Sequence, residues 1–156
     1  MSNTTNASEV DAIKKESGTK AEKKWGRDVM KLGFCMVPSL LLRAQRRLGL
    51  NPTQLAILLQ LADYWWDADN KPYPSKQSLS DRLGIGPRQI QRYIAELEKA
   101  GLVARIERTG DDNRKLSNHY DLSGLVEKLK QFEPEFRAVT EEASASRKKV
   151  SRRGLR

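Results

Sequence analysis

Apolar positions fall into helical register only after a long polar stretch. From Ser39, the segment SLLLRAQRRLGL reads as a short helix, with Leu41, Leu42 and Leu48 inward and Arg43, Arg46 and Arg47 outward. Asn51, Pro52 and Gln54 then form a helix start in which asparagine caps, proline takes the first turn and glutamine reaches back. In the helix that follows, Leu55, Leu58, Leu59, Ala62 and Trp65 form one stripe. Ile57, Leu61 and Tyr64 occupy other faces, so this helix is expected at the centre of the core. The polar run from Asp67 to Lys71 ends at Pro72, and Pro72 to Pro74 could add a short extra strand. Ser75 caps a helix whose stripe is Leu79 and Leu83, and Gly84 ends it. Within two residues Pro87 opens another helix carrying Ile90, Ile94 and Leu97, which Gly101 closes. The period then shortens to two. Leu102, Ala104 and Ile106 alternate with Val103, Arg105 and Glu107, and Asn118, Tyr120 and Leu122 alternate with His119 and Asp121, around a hairpin tip at Gly110, Asp111, Asp112 and Asn113.

Helix, tight turn, helix and hairpin in that order predict a winged helix-turn-helix: mainly α with a small β-hairpin, an α+β fold. With 156 residues the chain has room for about one such domain. The expected division is a disordered polar arm over 1–32, the winged domain over 33–136 and a flexible basic tail over 137–156, with a last helix from about Gly124 to Phe132.

Charge sharpens this division. The net charge of +9 resolves into +2 over residues 1–32, +3 over 33–124, −2 over 125–146 and +6 over the last ten residues, RKKVSRRGLR. Most of the excess is therefore terminal. Arg147, Lys148, Lys149, Arg152, Arg153 and Arg156 suit non-specific phosphate binding, which releases counterions and adds affinity but no sequence choice. The lone Cys35 has no disulfide partner within the chain and is expected to be a buried structural thiol. No apolar run is long enough to span a bilayer and no secretory signal opens the chain, so a cytoplasmic, nucleoid-associated location is expected. His119 is the only histidine, no metal cluster or cofactor is suggested, and no nucleophile or triphosphate-cradling motif accompanies it. An enzyme is not expected. Trp65 and Trp66 could stack on single-stranded bases, but at the end of an apolar helix core packing is expected for at least one of them.

The carriers YPS at Tyr73, LGI at Leu83, RQIQRYIAELEKAGLVAR from Arg88 and NHYDL from Asn118 resemble the winged helix-turn-helix family of bacterial transcription regulators and plasmid and phage replication proteins. The resemblance implies that exposed residues early in the second helix touch base edges. Here these are Arg88, Gln89, Gln91 and Arg92, types able to pair with guanine or adenine in the major groove. Most members place serine or threonine before that helix; this chain has Gly86, leaving the start without a side-chain cap. Phosphate contacts are expected from Ser75, Lys76 and Gln77 and from Arg105, Arg108, Arg114 and Lys115 of the wing, although Asp111 and Asp112 oppose a phosphate backbone at the tip. The expected partner is double-stranded DNA, bound by a homodimer pairing through Val37 to Leu48 or the last helix, with the tails open to a protein partner. The expected function is sequence-specific transcriptional regulation at an operator. The alternative is plasmid or phage replication or maintenance at origin repeats. A third reading, a winged helix that binds only protein, draws on Glu96, Glu98, Asp111 and Asp112 but conflicts with the basic balance.

Overall fold

The computed structural model describes residues 19–153, which fall into two compact units divided between Cys35 and Met36. In the first, α1 (Lys20–Trp25) and α2 (Arg27–Lys31) flank Gly26, whose φ of +92° suits glycine. Thr19 and Glu22 form a reciprocal capping box at the start of α1. The span expected as a disordered arm is thus helical over these two stretches; the rest of the arm, 1–18, lies outside the described residues. Neither helix has a buried side chain, so local capping rather than packing accounts for them. Cys35 is exposed, contrary to the expected buried thiol.

The second unit runs α3 (Ser39–Arg43), α4 (Pro52–Asp63), α5 (Lys76–Leu83), α6 (Pro87–Lys99), β1 (Ala104–Ile106), β2 (His119–Asp121) and α7 (Ser123–Arg152). α4 lies at the centre, as its apolar content requires. Ile57, Leu58 and Leu61 are fully buried, and Leu55, Leu59 and Trp65 pack at the margin. The Asn51 and Gln54 box fixes its start. Arg82 straps α5 to the end of α4, donating to Asp63 Oδ2 at 2.8 Å and to Gln60 Oε1 at 3.0 Å, with its guanidinium over the Tyr64 ring. Leu79, Ile90, Ile94 and Leu97 complete the core with Leu41, Ala44, Tyr120, Leu122, Leu125 and Leu129.

α3 departs from expectation at Leu42, which is 52 % exposed while Ala44 is fully buried. The helix ends at Arg43 and the chain turns through Gly49 (φ +68°), so a face projected over twelve residues does not persist. α6 ends in a Schellman turn: Gly101, at φ +71°, donates to Glu98 O and Leu102 donates to Leu97 O. Leu102 is therefore buried as part of the cap, and the strand phase restarts after it. Ala104 and Ile106, expected inward with Leu102, are exposed, whereas Arg105 is half-buried.

The hairpin is antiparallel, pairing Ala104 with Asp121, Arg105 with Tyr120 and Ile106 with His119. Pro72 accepts a hydrogen bond from the Tyr120 amide at 2.8 Å, but residues 72–74 form no strand. Beyond the hairpin, Gly124 packs against the Schellman turn so closely that a Cβ there would lie 2.1 Å from the Gly101 oxygen. α7 then passes through Pro134 to Arg152. The segment expected as a flexible tail is helical over 137–152 and exposed. A proline removes one backbone donor, yet the Arg137 to Glu133 ion pair spans the position, and the flanking residues favour helix.

Candidate nucleic-acid interface

Three elements converge at one side of the domain: the start of α5, the start of α6 and the base of the hairpin. Ser75 caps α5 by accepting from the Ser78 amide at 2.9 Å, so the helix begins immediately beside the cleft. Gly86 precedes α6 without a side-chain cap, and Pro87 occupies its first turn. The space they enclose with the wing is a cleft of about 600 Å³, lined by Ser75, Lys76, Gln77, Gln91, Arg105, Arg108 and Lys115 among others. Six of the seven expected phosphate contacts thus share one cleft with one expected base reader. The seventh, Arg114, lies elsewhere on the wing.

Helical geometry sorts the four expected base readers. At about 100° per residue, Arg88 and Arg92 point directly away from the buried Ile90, Ile94 and Leu97, with Gln91 on the flank facing the cleft and Gln89 on the opposite flank. Arg88, Gln89, Gln91 and Arg92 are all exposed. Lys76 Nζ donates to Gln91 Oε1 at 3.3 Å, tying this glutamine to the neighbouring helix start. Arg92 lies 3.9 Å from Glu96 Oε1 and stacks over Tyr93, contacts made on a solvated surface where they cost little to exchange.

The wing cations are held differently. Arg105 Nε donates to Glu98 Oε2 at 2.8 Å, and Glu98 Oε1 accepts from the Arg105 amide at 3.0 Å. That hydrogen bonding holds the Glu98 carboxyl below its usual range and raises the Arg105 guanidinium. Arg105 thereby braces β1 against the end of α6. Arg114 donates to Asp112 Oδ2 at 2.7 Å, an exposed pair that lowers the Asp112 carboxyl and occupies the guanidinium at the tip. Arg108 lies over the Tyr73 ring, which also meets the His119 ring at 5.4 Å. His119 is therefore a half-buried residue at the wing base. Trp65 packs at the core margin, whereas Trp66 is 67 % exposed.

The sequence reading missed Glu98 and Tyr73 as anchors of the wing. Glu98 stands seven positions before Arg105, a spacing that brings the two together only once the Schellman turn has reversed the chain. Thr109, Ser117 and Asn118 also line the cleft and carry no signal in the sequence beyond hairpin polarity. Among the described residues, no three His, Cys, Asp or Glu side chains gather as a metal site requires, and no helix is long and apolar enough to cross a membrane.

Residues 48–103 match the family model of a helix-turn-helix domain. Together with the hairpin that follows, they make a winged helix-turn-helix, a DNA-binding architecture. Among solved structures, the chain is similar to the N-terminal domain of the DnaD protein from Geobacillus kaustophilus HTA426. The identity is 22 %, the match covers 80 % of this chain and 98 % of that one, and the TM-score is 0.53. The transcriptional regulator PA3341 matches at 21 % identity over 73 % of this chain and 86 % of its own, with a TM-score of 0.37. The DnaD likeness is one of fold. No curated protein sequence matches the chain.

Proposed function

We propose that this protein binds double-stranded DNA sequence-specifically and acts as a transcriptional regulator of a bacterium or mobile element, with α6 in the major groove of an operator. The observation that carries the reading is the exposed Arg88, Gln89 and Arg92 face of α6 beside a cleft that gathers Ser75, Lys76, Gln77, Arg108 and Lys115. Base-pairing side chains on the helix and phosphate-binding groups around it supply the two kinds of contact a specific complex needs. Arg105 serves this site chiefly by holding the wing in place. The end of α7, with Arg147, Lys148, Lys149, Arg152 and Arg153 exposed, adds non-specific attraction to the phosphate backbone; Arg156 lies outside the described residues.

The protein acts as a homodimer on a two-fold operator. Leu41, Ala44, Leu125 and Leu129, within the surfaces the sequence nominated for pairing, are taken up in the chain's own core.

The test is retention of fragments of the encoding genome by purified protein, at physiological salt with competitor DNA. Enrichment of one or two promoters with a palindromic footprint supports the reading. Recovery of an iterated origin transfers the same interface to replication or maintenance, and no enrichment overturns specific recognition.

A further inference from the structure

One stripe of apolar and small side chains runs along α7, and the domain covers only its first half. Leu125, Leu129, Phe132, Phe136, Val139, Ala143, Ser146 and Val150 recur at alternating spacings of four and three, the pattern of a heptad seam. Leu125 and Leu129 are buried, and Phe132 and Phe136 pack at the margin of the core. Beyond Phe136 the stripe continues in the open: Val139 is 65 % exposed and Val150 71 %, with Ala143 and Ser146 exposed between them.

We infer that this outer half of α7, Val139 to Val150, pairs antiparallel with the same segment of a second copy of the chain. Charge favours that occupant. With Val139 opposite the partner's Val150 and Ala143 opposite the partner's Ser146, the flanking Glu142 faces the partner's Lys149, and the two-fold axis repeats the pair. A register shifted by one heptad sets Glu142 against Glu142 and requires Phe132 and Phe136, which the domain already holds. It also draws on Glu135, which is bound to Arg47 at 2.6 Å, and Glu133, which is bound to Arg137 at 2.6 Å.

Sterics select the direction. The stripe faces the chain's own domain over Leu125 to Phe136, so the partner helix approaches on the side where that domain sits. A parallel pair would place both domains in the space between the helices at the same level. An antiparallel pair places them at opposite ends, and the seam of about 18 Å begins just past the domain. The small Ala143 and Ser146 permit close approach at its middle, and the valines close it at both ends.

This deepens the homodimer element of the proposed function, and its test uses no DNA, so either can fail alone. Sedimentation of the full chain over a wide concentration range should show a reversible monomer–dimer equilibrium. Replacing both Val139→Glu and Val150→Glu should leave only monomer with the thermal midpoint of the winged domain unchanged, since both side chains are exposed. Lys149→Glu should weaken pairing by roughly tenfold, because two symmetry-related contacts reverse, and adding Glu142→Lys should restore it. A chain monomeric at every concentration, or a dimer indifferent to the valine changes, overturns the inference. Rescue of Arg147→Glu rather than Lys149→Glu by Glu142→Lys also overturns it, since that pattern belongs to parallel helices.

Discussion

The outward face of α6 and the wing carry similar charge but differ in what that charge is doing. On α6, Arg88 and Arg92 stand on the solvent side, and the ion pair that Arg92 makes there, with Glu96, is long at 3.9 Å. In the wing, Arg105 is bound to Glu98, Arg114 to Asp112, and Arg108 lies over Tyr73. A cation already satisfied within the protein must exchange a partner to meet phosphate, and one at the surface of a rigid helix need not. The contrast supports the proposed division, in which α6 recognises DNA and the wing braces it, with Arg108 and Lys115 of the wing bordering the cleft.

Both regions stand on the α6 stripe, so the largest effect should come from beneath them. Ile94→Ala removes a side chain that is 1 % exposed and should cost about 3 kcal/mol in urea unfolding, lowering recognition and bracing together. Gly124→Ala drives a Cβ into the Gly101 carbonyl at the root of the hairpin and should cost about 2 kcal/mol, with loss of amide protection greater in the wing than in α6. An unchanged unfolding midpoint would show that the close approach relaxes freely.

Glu98→Gln separates the brace from the exposed face of α6. It should cost about 1 kcal/mol at neutral pH, with the thermal midpoint as the measure. Because the folded carboxyl titrates below its ordinary value of 4.5, its contribution is fully present above that value and is lost as pH falls through the lower folded one. The variant should therefore converge on wild type in acid, and an offset that persists there would assign the loss to packing instead of charge. The smallest effect belongs to the tip. Arg114→Ala should change DNA affinity by less than about threefold, because Asp112 already holds the guanidinium; a larger loss in equilibrium binding would place the tip on the backbone.

Where local chemistry decides the structure, the sequence was a reliable guide. The Ser75 cap, the Asn51 and Gln54 box, Gly84 at φ +67° and the Ile90, Ile94, Leu97 stripe each depend on residues within one or two turns. Leu42, the inward face of β1 and the buried thiol failed because tertiary context set them. The stop of α3 redirected Leu42, the Schellman turn reset the strand phase, and Cys35 lies outside the packed unit. The last helix, expected from about Gly124 to Phe132, runs on through Pro134 to Arg152, since one lost backbone bond does not outweigh the helix-forming residues on both sides. At the candidate interface, residue types led to the exposed face of α6 and to most of the cleft lining. The Glu98 brace required knowing where the chain turns back.

The most direct test compares DNA binding by wild type with Arg88→Ala and Arg92→Ala, on the fragment the protein retains and on random duplex. If α6 reads bases, each substitution should weaken the retained site by about 1 to 3 kcal/mol and random duplex far less. Equal weakening on both would reduce these arginines to phosphate contacts and contradict recognition through α6.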